Sequence, residues 1–187
     1  MVARNSAKIP PAVLRRAKKI RVLLMDVDGV LTDGRIYLQS LRDGEAAEMK
    51  VFSAQDGAGL KLAHIMGLKT GVITGRDSAA TARRAREMEM DFVFQKQPRK
   101  LEAFREIVTR AGVKEEEVAF VGDDLPDLPL FQLAGLAVAV ANAVPEVKRA
   151  AHYVTRRSGG DGAVREVIEL IFKAQGRWGE AVPKSLA

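Results

Sequence analysis

The 187-residue chain has no cysteine. Disulfides and thiolate metal sites are thereby excluded, and the cytosol is the expected compartment. Besides seven phenylalanines, only two tyrosines and one tryptophan are present. No aromatic platform for single-stranded nucleic acid is visible. No stretch approaches the ~18 apolar residues of a membrane span. The basic flank of Arg15, Arg16, Lys18 and Lys19 is not followed by an apolar block with a small-residue cleavage site, so we expect no secretory signal. The two histidines, His64 and His152, lack ligand-spaced partners and are read as non-catalytic. No GxxxxGK occurs, and Gly57 and Gly59 have neither a third glycine at dinucleotide spacing nor a strand leading straight into them.

What remains is an ordinary globular composition, 47% hydrophobic and 29% charged, with a net charge of +6. The length suits one domain with one sizeable core. The positive balance fits an anionic substrate, nucleic acid or simply a solvated basic surface.

The residues Ile20 to Gly34, IRVLLMDVDGVLTDG, organise the chain. Val22 to Met25 reads as a buried parallel strand that delivers Asp26 and Asp28 at its end. Two carboxylates so close repel unless a cation or a shared proton lies between them. Gly34 to Phe52 reads as a hairpin, with strands at Arg35–Gln39 and Glu48–Phe52 and Asp43-Gly44 at the tip. Further strands are expected at Lys69–Thr74, Asp91–Phe94, Val118–Val121, Leu136–Val140 and His152–Thr155. Helices are expected from Asp56-Gly57 to Gly67, from Asp77 or Ser78 to Met88, from Pro98 to Ala111, over Leu128–Leu133 and Val144–Ala150, and from an Asp161 cap to Gln175. Residues before Lys19 read as a loose arm with a short helix, and those beyond Gly176 as a mobile tail. Strands alternating with helices predict an α/β fold with a parallel sheet, the hairpin being an insertion.

Polar residues the core does not require follow four of these strands. They are Asp26 and Asp28, then Thr74-Gly75-Arg76, then Lys100, then Asp123, Asp124 and Asp127. Parallel strands would gather them at one edge, where open α/β sheets bind ligands. Hard carboxylate oxygens suit Mg²⁺, and a hydroxyl with an ammonium suits a phosphoryl group.

DVDGV at Asp26–Val30, VIT at Val72–Thr74, Lys100 and GDDLPD at Gly122–Asp127 resemble, in order and spacing, the four motifs of the haloacid dehalogenase superfamily. The match runs from about Ile20 to Gln175. DVDGVLTDG, FSAQDGAG, ITGR, GDDLPDLP and GGDGAVRE further resemble the minimally capped 3-deoxy-D-manno-octulosonate 8-phosphate (KDO 8-P) phosphatases, cytoplasmic homotetramers on the route to the lipopolysaccharide inner core. The resemblance implies a Rossmannoid three-layer fold with a hairpin flap. It implies Asp26 as nucleophile and Asp28 as acid and base. It places Mg²⁺ on Asp26, the Asp28 carbonyl and Asp123, with Asp124 and Asp127 in support, and phosphoryl contacts on Thr74 and Lys100. The family's substrate segment falls on Ser53, Ala54, Gln55, Asp56 and Gly57, with Lys61, Arg76 and Arg84 as further anion contacts. Gln55 stands where a basic residue would pair more obviously with a substrate carboxylate, and the hairpin is long. The hairpin would pack on a neighbouring subunit.

Four other functions compete. A nonulosonate 9-phosphate phosphatase shares the chemistry. A phosphoacceptor signalling domain uses a similar acidic cluster, but Asp28 two residues beyond Asp26 is what turnover needs. A silent oligomerisation module would not need every catalytic residue type. Nucleic-acid binding rests on the charge alone. The expectation is a Mg²⁺-dependent phosphatase of a phosphorylated keto-acid sugar, with no nucleic-acid or membrane partner.

Overall fold

The computed structural model describes residues 9–42, 44 and 46–184. Its centre is β1 (Val22–Met25), four consecutive buried residues. β4 (Lys69–Ile73) lies on one side and β6 (Val118–Gly122) on the other, both parallel to it. With β5 (Phe92–Phe94), β7 (Leu136–Ala139) and β8 (Tyr153–Val154) the sheet order is β5-β4-β1-β6-β7-β8, parallel throughout. β-Branched and aliphatic runs such as VAFVG and LAVA are buried along their whole length, as strands covered on both faces must be.

The helices form two groups around this sheet. α1 (Pro11–Ala17), α2 (Ala54–Ile65), α7 (Ala163–Ala174) and α8 (Trp178–Lys184) pack together, as do α4 (Lys100–Ala111), α5 (Leu128–Phe131) and α6 (Pro145–Ala150). α3 (Ala79–Glu87) connects β4 to β5, capped by the Ser78 hydroxyl, which accepts from Thr81 N–H. Phe104 on α4, Phe120 on β6 and Phe172 on α7 are fully buried. The fold class expected from the alternation of elements is present.

Topology places the site. The chain leaves β1 for β4 on one flank and later returns to β6 on the other, so the strand order reverses at β1. In doubly wound sheets the crevice at that reversal, at the carboxyl ends, is where ligands bind. Met25 is level with Val72 and Val121. The residues that follow these strands, Asp26, Thr74 and Asp123, therefore emerge along one edge.

β2 (Tyr37–Ser40) and β3 (Ala46–Met49) form a separate antiparallel pair. The hairpin expected at residues 34–52 is present, with strands at Tyr37–Ser40 and Ala46–Met49 rather than Arg35–Gln39 and Glu48–Phe52. Asp43 of the expected tip lies outside the described residues, as do the arm residues 1–8 and the tail residues 185–187.

Four boundaries are corrected. Residues expected as a mobile tail include a helix, α8. Its Ala181 is buried, and Trp178 lies under Arg165 and Lys173, 5.5 and 5.1 Å from their charged groups. The α2 helix begins at Ala54, with the Ser53 hydroxyl accepting from Asp56 N–H. The α4 helix begins at Lys100 rather than Pro98. Asp161 does not cap α7. Gly162 holds the cap position in a left-handed conformation, and Asp56 of α2 accepts the N–H groups of Gly162 and Arg165 at 3.2 and 2.8 Å.

Candidate active site

A cleft of about 330 Å³ opens at the carboxyl ends of β1, β4 and β6, and Asp26, Asp28, Thr74, Arg76, Lys100 and Asp123 line it. Asp26 directly follows the apolar strand. Its N–H donates to Val121 O, and Val27 N–H donates to its Oδ1 at 2.6 Å. Lys100, at the start of α4, is buried, with its Nζ 2.5 Å from Asp26 Oδ2 and 2.7 Å from Asp127 Oδ1. Burial works against the ammonium, yet the charges of Asp26 and Asp127 outweigh it and raise the lysine's pKa. A cation is thus fixed among the carboxylates.

Asp127 is fully buried, and its Oδ2 accepts the N–H of Asp123 and of Asp124 at 2.9 and 3.4 Å. A Cβ on Gly122 would land inside that carboxylate, so glycine is required before Asp123. Asp124 caps the turn that follows, accepting from Leu125 N–H at 2.7 Å. Asp28 carries a different set of neighbours. It pairs with Lys50 from the hairpin, whose Nζ is also 3.6 Å from Glu48. Arg76 Nε is 3.6 Å from Asp28 Oδ2, and its other end binds Glu48 at 2.6 Å.

The donor set fits a hard divalent cation. One oxygen each of Asp26, Asp123 and Asp127 lie within 4.8 Å of one another. Both oxygens of Asp127 are engaged by Lys100 and main-chain N–H groups. Asp123 Oδ1 and Asp28 Oδ2, by contrast, are buried without a hydrogen-bond partner. Burial is costly for such atoms unless something is bound there. Burial, reinforced by the charges of Asp26 and Asp127, pushes Asp123 up to about 8. Burial likewise pushes Asp26 up to about 6, against the Lys100 ammonium. Both shifts express the same excess of buried negative charge, which a cation between Asp26 and Asp123 would relieve.

The remaining expected residues stand apart from this cleft. Asp56 is buried, and both its oxygens serve the start of α7. Arg84 donates to Ser53 O at 3.3 Å, lies 5.7 Å from the Phe52 ring centroid and fills the space a Gly57 side chain would need. Ala54 and Gln55 are exposed and line a different depression, of about 390 Å³, with Ala58, Arg165 and Glu169. Lys61 is exposed on α2. Sequence reasoning missed Lys50, whose side chain is only 3% exposed. The one available signal was a cation within the expected second hairpin strand, on a hairpin read as a flap.

A family described as haloacid dehalogenase-like hydrolase matches residues 77–168. The 3-deoxy-D-manno-octulosonate 8-phosphate phosphatase KdsC of Salmonella typhimurium is 41% identical over 95% of this chain and 93% of its own. That of Escherichia coli K12 is 42% identical over 93% and 90%. Among solved structures, the phosphatase of Yersinia pestis superposes with a TM-score of 0.86 at 41% identity, covering 90% of this chain and 89% of its own. The phosphatase of Moraxella catarrhalis, crystallised with magnesium ion, phosphate ion and KDO, gives 0.87 at 38% identity over 92% and 97%.

Proposed function

This chain belongs to the haloacid dehalogenase-like hydrolases, within the 3-deoxy-D-manno-octulosonate 8-phosphate phosphatase family, and from that membership we propose that it hydrolyses this eight-carbon keto-acid phosphate with Mg²⁺. The observation that carries the proposal is the gathering of Asp26, Asp28, Asp123 and Lys100 in one cleft, with Asp123 Oδ1 buried and without a hydrogen-bond partner.

Asp26 and Asp123, with the main-chain carbonyl of Asp28, would hold the cation. Bound there, Mg²⁺ would neutralise charge on the phosphoryl oxygens. An Asp26 carboxylate oxygen attacks phosphorus, forming an aspartyl-phosphate as the bond to the sugar oxygen breaks. Asp28 gives its proton to that leaving oxygen. It then takes a proton from the water that attacks the aspartyl-phosphate, releasing phosphate and restoring Asp26. Thr74 and Lys100 bind phosphoryl oxygens. Lys100 keeps its charge throughout because Asp127 remains paired with it.

Arg76 lines the cleft and Lys50 lies beside Asp28, both paired with Asp28 and Glu48 in this structure, and either could turn to a substrate carboxylate. The segment Ser53–Gly57, with Lys61 and Arg84, would contribute in an assembly of four copies, where the hairpin of one subunit meets the site of another. We read residues 1–187 as one domain acting in the cytoplasm on the lipopolysaccharide inner-core route.

The test is a panel of sugar phosphates assayed for phosphate release with Mg²⁺. A kcat/KM highest for the eight-carbon acid supports the proposal. A clear preference for a nine-carbon nonulosonate 9-phosphate would move the chain to a related substrate.

A further inference from the structure

Thr32 sits four residues beyond Asp28, is 2% exposed and has no part in the chemistry above. Its hydroxyl is nonetheless fully committed. Oγ1 accepts the N–H of Gly29 at 3.3 Å and of Gly34 at 3.2 Å, and donates to Val27 O at 3.4 Å. The same loop is already closed by main-chain bonds from Leu31 and Thr32 N–H to Val27 O. The hydroxyl is therefore not needed merely to close the turn. What it adds is a fixed direction for the Gly29 N–H.

That direction has a consequence one atom away. No described peptide bond is cis, and in a planar trans peptide the carbonyl points opposite the N–H. Drawing Gly29 N–H inward to the Thr32 hydroxyl turns the Asp28 carbonyl outward. Gly29 itself lies against Asp123, since a Cβ built on it would fall within the Asp123 carboxylate. The next peptide is also held. Asn142 Nδ2 donates to Gly29 O at 3.1 Å, and its Oδ1 accepts Gly159 N–H at 2.6 Å. Gly29, at φ +89°, is clamped on both its N–H and its C=O.

We propose that Thr32 is a positioning residue that aims the Asp28 main-chain carbonyl at the cation beside Asp123. The inference rests on the reading of the cleft as a Mg²⁺ site. A hydroxyl is required rather than bulk, because valine would fill the same space while leaving the N–H groups of Gly29 and Gly34 without their acceptor. Freed of that acceptor, the Asp28–Gly29 peptide can rotate, and the carbonyl loses its aim.

The experiment is Mg²⁺ titration by isothermal calorimetry of the wild-type chain, Thr32→Val and Thr32→Ser, with the metal-free melting midpoint of each followed in parallel. Partners that orient metal ligands typically change affinity by about 10–100-fold, so Thr32→Val should bind Mg²⁺ at least about tenfold more weakly while Thr32→Ser stays within about threefold of wild type. Equal affinity in wild type and Thr32→Val overturns the proposal. An equal loss in Thr32→Ser also overturns it, because the buried methyl would then be the cause. If Thr32→Val does not fold, amide exchange in the wild type decides. Gly29 N–H should be protected in the metal-free chain, and exchange at the rate of an exposed amide contradicts the proposal. A wild-type chain that takes up no Mg²⁺ overturns the site reading and this inference together, an outcome distinct from a wild type that binds as well as Thr32→Val.

Discussion

Asp26 and Asp28 are two residues apart and share an electrostatic cluster, yet their neighbours differ. Asp26 faces the fixed Lys100 ammonium, whereas Asp28 faces the hairpin cation Lys50 and Arg76. Asp26→Asn should lower kcat by roughly 10⁴-fold or more with circular dichroism unchanged, as expected for loss of a nucleophile. Near wild-type turnover would remove Asp26 from that role. Removing Lys100 acts on stability as well as on phosphoryl binding. Lys100→Met leaves Asp127 buried and unpaired, and should cost about 3–5 kcal/mol in denaturant unfolding. The raised carboxyl groups fix a pH dependence. Metal-free, Asp26 and Asp123 hold protons up to about 6 and about 8, whereas the unfolded chain releases them near 3.8. The folded state then binds more protons across that window, so these groups make stability fall as pH rises. Mg²⁺ needs the ionised carboxylates and should raise the melting midpoint more at pH 8 than at pH 5.5. A Mg²⁺ effect independent of pH would contradict this. Asp26, Thr74 and Asp123 were legible in the sequence because each directly follows an apolar run that could only be a buried strand. Lys50 and Thr32 were not, since their contacts depend on how the loop after β1 folds back on itself.

Among the elements, β1, β4 and β6 were readable from hydrophobic runs, and α4 and α7 from their periodic apolar faces. Caps supplied from afar were not. Asp161 is the local candidate for the start of α7, but the acceptor is Asp56, 106 residues from Gly162 in sequence. No local pattern encodes that contact. The pairing ties α2 to α7 and makes Asp56 a joint between helices. Asp56→Ala should strand the buried Gly162 N–H and the partly buried Arg165 N–H and destabilise the chain by about 1–3 kcal/mol, read as a lower denaturant midpoint. Unchanged stability would show that water serves the helix end as well. The α8 helix escaped detection because the segment beyond Gly176 reads as a polar tail, while the buried Ala181 and the cations over Trp178 are tertiary facts.

For the whole molecule, exposed apolar side chains among the described residues are most frequent on the hairpin. Ile36, Leu38, Met49 and Val51 are each more than half exposed. Leu38 pairs with Glu48 and Met49 with Tyr37, so the two-stranded sheet carries exposed apolar side chains on both faces, which is where a second copy could pack. In the proposed assembly of copies, Leu38→Asp should shift the protein to a smaller species in light scattering while the core stays folded. An unchanged mass would place the contact elsewhere. In the proposed function this cleft hydrolyses a keto-acid sugar phosphate through Asp26 with Mg²⁺. Its most direct test is phosphate release from 3-deoxy-D-manno-octulosonate 8-phosphate by the wild-type chain, with Mg²⁺ and with chelator. Multiple turnovers with Mg²⁺ and none with chelator are predicted. A chain that releases no phosphate with Mg²⁺, or releases it equally well in chelator, would contradict the account.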